Sequence, residues 1–257
     1  MKTHHYIIAG ATTYLLFLLL LTPAATVISF LNIPEKTVSL NGITGSVWSG
    51  QVAEATIKKQ SVEAISWSLN PLSLFTGNVS TELQATVFEN QVDGNLNYSY
   101  INNATTLYDI SSYIKAENLQ KLLNLPFGEL AGSIKLDLNE IIIKPKALPS
   151  IAGDIRWKNA QLTLSEKISF GDILLTITPD DQGNLIGKLS NTKGQLIIKG
   201  DIKVTPKSIY TLRLTLKPRA NASSELISIL KLVAPRKVKD EHVLNKSGHL
   251  RQLGFKL

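Results

Sequence analysis

The chain has 257 residues, a net charge of +7 and no cysteine. Without thiols there can be no disulfide, thiolate metal site or cysteine nucleophile, which suits a sizeable periplasmic domain and excludes a small disulfide-built scaffold. The positive balance suits anionic lipid headgroups or an acidic partner, but no helix-turn-helix, RNA-binding sheet signature or zinc finger accompanies it, so no nucleic-acid partner is expected.

From Thr3 to Pro34 there is no Asp, Glu, Lys or Arg. A bilayer core needs roughly 20 mostly apolar helical residues. Tyr6–Leu31 is therefore expected to be one transmembrane helix, preceded by a short cytoplasmic segment, residues 1–5. The rival reading is a cleaved signal peptide, with Lys2 as its charged start, Ile7 to Leu21 as its apolar stretch and Thr22-Pro-Ala-Ala25 as its cleavage site. The poor Ala-x-Ala pattern, and the return of apolar residues at Val27, Ile28, Phe30 and Leu31, favour an uncleaved anchor. Lys2 on one side and Lys36 on the other barely discriminate orientation. A long hydrophilic domain translocates whatever its charge, so residues 35–257 are expected outside the cytoplasm.

Past Pro34 the period becomes two. Ile43–Gly50 is expected to open a strand ending in a glycine turn, with Ala53, Ala55 and Ile57 then facing one way. Lys58-Lys-Gln60 should turn the chain into Ile65, Trp67 and Leu69, and Asn70-Pro71 should stop that strand. Another turn is expected at Thr76-Gly-Asn78. Thr81, Leu83, Ala85 and Val87, then Val92, Gly94, Leu96, Tyr98 and Tyr100, form a hairpin about Glu89-Asn90. One wet face per strand means an antiparallel sheet.

Ser111-Ser112 is expected to cap a helix over Ile114–Asn124 that Pro126 ends. Strands follow at Ile134–Leu138, Ile141–Ile143, Ile151–Trp157, Leu162–Leu164, Ile173–Ile177, Leu196–Val204 and Tyr210–Leu216, with turns at Pro179–Gly183, Lys193-Gly194 and Thr205-Pro206. Asn221–Val233 reads as a second helix capped by Asn221 or Ser223, followed by a charged connector, Pro235–Glu241, and a last strand near His249–Phe255. Gly45-Ser-Val-Trp48 and Gly153-Asp-Ile-Arg-Trp157 each open a run of hairpins and a helix. The body thus suggests two related halves, about 35–125 and 130–257. One-sided strands are covered by a sheet folded on itself. The expected fold is all-β and antiparallel, as a sandwich or half-open barrel, with two short helices behind the transmembrane helix.

Reactive constellations are scarce. His4, His5, His242 and His249 have no metal-ligand spacing. Gly183-Asn-Leu-Ile-Gly-Lys188 is too short between glycines for a phosphate loop and continues as a strand. Asp180-Asp181 and Asp240-Glu241 read as solvated turn or linker acids, not as a general acid/base pair. Trp48 and Trp67 are expected in the core, on the apolar parity of their strands. No cofactor and no enzymatic activity are expected.

These residues resemble protein N of the bacterial type II secretion system. The resemblance is carried by the apolar run ending in Pro23-Ala24, by Gly45-Ser-Val-Trp-Ser-Gly50, and by Trp67-Ser-Leu-Asn-Pro-Leu-Ser-Leu-Phe-Thr-Gly77. Leu125-Pro126, Leu130-Ala-Gly132, Gly153-x-x-x-Trp157 and Gly254 continue it along nearly the whole chain. Where an Asp-Gly turn is expected near the end, the chain has Lys246-Ser-Gly248. The resemblance implies a non-enzymatic accessory component, single-pass in the inner membrane of a Gram-negative cell, with a periplasmic β domain and other secretion components as partners. Gly45, Trp48, Gly50, Trp67, Pro71 and Gly77 are then structural or docking residues. The lysine-bearing strand faces offer Lys199, Lys203, Arg213 and Lys217 as a basic contact face. The alternative is a membrane-anchored lipid-binding or lipid-transfer protein whose apolar β groove takes a lipid ligand.

Overall fold

Proline sets the first departure from the expected single span. It lacks a backbone N–H and clashes with the preceding helical turn, and the apolar run breaks beside Pro23 into helix α1 (Lys2–Leu20) and helix α2 (Ala24–Phe30). Among the described residues no helix is long and apolar enough to cross a membrane. The computed structural model describes residues 2–30, 38–57, 60–87, 89–123 and 128–253. The expected Lys58-Lys59 turn, Leu125-Pro126 and Gly254 lie outside them. The chain divides into two compact units, Met1–Ile101 and Asn102–Leu257.

In the first unit, β1 (Val38–Gly45), β2 (Ser49–Ile57), β3 (Gln60–Asn70), β4 (Asn78–Val87) and β5 (Asn90–Ser99) each pair antiparallel with the next. The expected hairpin is there. Val87 faces Asn90, Ala85 faces Val92 and Thr81 faces Leu96, so the apolar parities meet. Two expectations need correction. Ile43–Gly50 is not one strand, because Gly45 takes φ +85° and the chain turns a corner before β2. The inward residues of β2 are Val52 and Ala55, while Ala53 is exposed. Positive φ at Gly42 and Ala64, on the two flanking strands, accompanies that break in the period.

In the second unit, β6 (Ala104–Lys115), β7 (Glu129–Ile143), β8 (Ser150–Thr163), β9 (Lys167–Pro179), β10 (Leu185–Thr192), β11 (Leu196–Val204) and β12 (Ile209–Pro218) follow in order. The pairing then continues to β14 (Glu241–His249) and the two-residue edge strand β13 (Lys237–Val238). Ser111 and Ser112 belong to β6 rather than to a helix start; helix α3 (Ala116–Leu123) begins later than expected. The last strand is also earlier than expected, and the charged connector contributes β13 to it. Both units are open antiparallel meanders. The all-β antiparallel class holds, as an open sheet in each unit.

Register builds one apolar face in the second unit, in rows across the strands. One row runs Leu138, Gly153, Ile177, Gly187, Ile202, Leu212, and the next Leu136, Ile155, Leu175, Leu189, Gly200, Leu214. A third runs Ile134, Trp157, Ile173, Asn191 and then, across β11 and β12, Ile198 and Leu216. Helix α4 (Ser224–Val233) covers the third row. Leu226 and Leu230 pack with Ile168, Leu196, Ile198 and Leu216 in the buried cluster. Of the two candidate caps it is Ser223 that acts, accepting from Leu226 N at 3.2 Å; Pro235 lies past the helix end. The first two rows stay half-buried apart from Gly187, and Leu189 and Leu214 of the second pack against that cluster.

Candidate functional site

Three strand ends and the N-terminal segment meet at the corner 45–50. Val47 N donates to Thr22 O at 3.1 Å, and Pro23 bridges Ser46. Ser46 N donates to Ser49 O at 2.9 Å, closing the turn, while Ser49 N donates to Ser46 Oγ at 3.2 Å. Trp67 Nε1 donates to Val47 O at 2.9 Å, and Leu69 N to Trp48 O at 2.6 Å. The indole of Trp67 lies over Gly50, its direct cross-strand partner; a Cβ there would collide with the ring and stand 2.7 Å from Thr44 O. Gly50 is therefore glycine for lack of space. Trp48 and Trp67 are half-buried, not enclosed. Trp67 lines an open, polar-walled depression of about 450 Å³ with Thr44, Ser66, Glu82 and Gln84.

Asn70-Pro71 ends β3 as expected and starts a 3-10 helix, Pro71–Thr76. Asn70 Oδ1 accepts from Leu72 N at 3.0 Å. Buried Ser73 donates to Asn70 O at 2.7 Å and accepts from Ser80 N at 3.0 Å. Gly77, left-handed at φ +79°, closes the turn, and Tyr100 Oη donates to Leu74 O at 2.7 Å. This well-held turn leaves Leu72 72% and Phe75 89% exposed. Their letters stand within the family motif, but alternation has no way of showing that a turn will expose them.

The four basic candidates do share one face of the second unit's sheet. Lys199 and Lys203 on β11, and Arg213 and Lys217 on β12, occupy positions of the same parity. Asp201, the direct partner of Arg213, divides the patch. Lys203 Nζ also lies 3.9 Å from Asp180 Oδ2. Asp180 is a turn acid as expected: its carboxylate accepts from Asn184 Nδ2 at 2.8 Å, Asn184 N at 2.8 Å and Gln182 N at 3.0 Å. The Asn184 side chain, then the backbone donors and Lys203, hold its pKa below the ordinary 3.8. Asp154 is lowered too, first by Thr176 Oγ1 donating at 2.7 Å and then by Arg156.

Among the described residues no group of three or more His, Cys, Asp or Glu could hold a metal ion. His242 is buried on β14 with Nδ1 2.7 Å from Ala234 O. Gly183–Lys188 is a turn running into β10.

Open antiparallel meanders following an apolar N-terminal helix make this an all-β protein organised around strand faces and edges. Within that class, the sequence profile of Type II secretion system (T2SS), protein N matches residues 36–245, and the chain belongs to that family. It is 29% identical over 211 residues to a Type II secretion system protein N from Aeromonas hydrophila, covering 80% of this chain and 82% of that one. No solved structure matches.

Proposed function

We propose that this chain is an accessory, non-enzymatic component of the type II secretion machinery, held in the inner membrane by α1 and acting from the periplasm in assembly or docking. The observation that carries this reading is the family match over residues 36–245, which takes in nearly all of both β units. The anchor reading is supported by the uncharged run from Thr3 to Pro34, and by the exposed Tyr6, Ile7, Ile8, Tyr14 and Phe17 along α1. Lys199, Lys203, Arg213 and Lys217 are the basic face offered to acidic partners. The two related halves, about 35–125 and 130–257, are supported by Trp157 repeating the device of Trp67 rather than of Trp48: its Nε1 donates to Ala131 O at 3.0 Å, beside Gly132.

Fusion of alkaline phosphatase or a cytosol-only fluorescent protein after Leu257 tests the topology. An active phosphatase and a dark fluorescent protein are expected; the reverse pattern overturns the assignment. Purification of the full chain from crosslinked membranes should bring down other secretion components, less so for Lys199→Glu/Arg213→Glu.

A second reading is lipid binding along the apolar face of the second unit. The observation favouring it is that Leu138, Ile177, Ile202 and Leu212 of the first row are only half-buried, while α4 packs on Ile198 and Leu216 of the third. Mass spectrometry of the purified full chain should then find acyl lipid that survives delipidating washes and is lost on Leu175→Arg.

A further inference from the structure

The charges of the first unit are confined to part of its length. Residues 37–53, 64–81 and 94–101 contain no Asp, Glu, Lys or Arg. Register gathers these segments. Gly45 faces Gly50, Gly50 faces Trp67, Asn70 faces Ser80 and Asn78 faces Ser99, so all five strands finish at one uncharged end. Glu54 and Glu63 face each other at the other end, where Glu89 also stands beside the β4–β5 turn; Glu82 and Asp93 lie in mid-strand. An end of a soluble domain without charge is unusual, because charged side chains ordinarily occupy exposed positions.

That end is also apolar where it protrudes. Leu72 and Phe75 stand out on the 3-10 turn, with Tyr100 53% and Ile101 71% exposed beside it. The protrusion is held firmly by Asn70, Ser73, Gly77 and the Tyr100 hydroxyl. Exposed apolar groups on a pre-formed turn bind without the cost of ordering it.

What lies against this end follows from where the N-terminal helix joins the unit. Thr22 O and Pro23 are tied to Val47 and Ser46; the next residue, Trp48, is tied to Leu69, and three residues on stands Leu72. The path is short: two inter-strand spacings of about 5 Å and four residue steps of about 3.8 Å, roughly 25 Å at most. The apolar α1 therefore enters at the same end that carries Phe75. We infer that this end of the first unit rests on the lipid bilayer, with Leu72 and Phe75 dipping into the headgroup–acyl boundary as a second membrane contact beside α1. The inference rests on the anchor reading above. Tyr100 suits the boundary, since its ring is apolar and its hydroxyl polar, and apolar groups at such sites sit about 5–10 Å deep.

The absence of native cysteine permits single-site labelling of the full chain. Phe75→Cys, Tyr14→Cys on α1, and Gln91→Cys, about 25 Å along β5 from the uncharged end, would each carry a polarity-sensitive fluorophore. Each is reconstituted in phosphatidylethanolamine–phosphatidylglycerol vesicles and checked for an unchanged far-ultraviolet β signal. The Phe75 probe should shift to the blue and lose about half its emission to a shallow spin-labelled lipid, as burial by ~5–10 Å requires. The Gln91 probe should stay water-like. A quenched Tyr14 probe with a water-like Phe75 probe overturns the inference and leaves the anchor standing. Two water-like probes overturn both. A Phe75 probe that is dry yet unquenched by lipid assigns this end to a protein contact and overturns the lipid reading.

Discussion

Met1–Ile101 and Asn102–Leu257 are both antiparallel meanders, yet they distribute polarity in different ways. The first unit sorts it lengthwise, with an uncharged end around Gly45–Gly50 and Pro71–Gly77 and its acids elsewhere. The second sorts it by face. Lys135 pairs with Asp137 at 2.7 Å and Arg156 with Asp154 at 3.1 Å on the wet side, while Ile155, Leu175 and Leu189 stand on the other. Sorting by face is what a sheet needs in order to bury a core, and helix α4 completes that core. Among the described residues the first unit encloses few apolar side chains, Ala24, Val52 and Ala55 among them. Sorting lengthwise fits a domain meeting an apolar surface end-on, which is why the first unit carries the proposed lipid contact and the second the proposed protein contact.

The sharpest way to break this contrast is at its shared device. Trp67→Ala and Trp157→Ala each remove a half-buried ring and an indole bond to a neighbouring strand's carbonyl. Each should cost about 3 kcal/mol, near the lower bound for large-to-small changes at aromatic sites, measured by denaturant unfolding. Hydrogen exchange should report the loss in the first unit for Trp67 and in the second for Trp157. Equal loosening of both units by either variant would erase the distinction between them. Next comes Leu230→Ala beneath α4, expected to cost about 2–3 kcal/mol and to raise exchange in β11 and β12 while leaving β2 and β3 protected. Ser223→Ala, which removes the cap of α4, should cost about 1 kcal/mol, again only in the second unit.

The smallest effect concerns acid. Asp154 and Asp180 both have lowered folded-state pKa values. Their stabilisation is thus present above the ordinary carboxylate value near 3.8 and is lost as pH falls through the lowered folded values. Stability of the second unit should fall on acidification below about pH 4. Asp180→Asn should flatten part of that fall, and an unchanged acid limb would exclude the carboxylate's contribution.

Where apolar residues keep strict parity, the fold was legible. The β4–β5 hairpin, the turns at Pro179–Gly183 and Lys193-Gly194, and the capped α4 could all be read from side-chain order. β6 escaped because its apolar positions step from Leu107 to Ile110 across Asp109, whose φ is +53°, and because Ser111-Ser112 imitates a helix cap. The broken N-terminal helix was half legible: Pro23 marks the place, but its pairing with Ser46 is a tertiary contact. The same holds for the site. Gly50 and Trp67 were visible as motif letters, whereas their stacking, and the exposure of Phe75, depend on register that no local pattern encodes.

Export itself gives the most direct test. In a strain lacking this chain, the account predicts that secreted enzymes accumulate in the periplasm, that the full chain restores their release, and that a signal-peptide-exported version starting at Lys36 does not. Release that continues undiminished without the chain would contradict it.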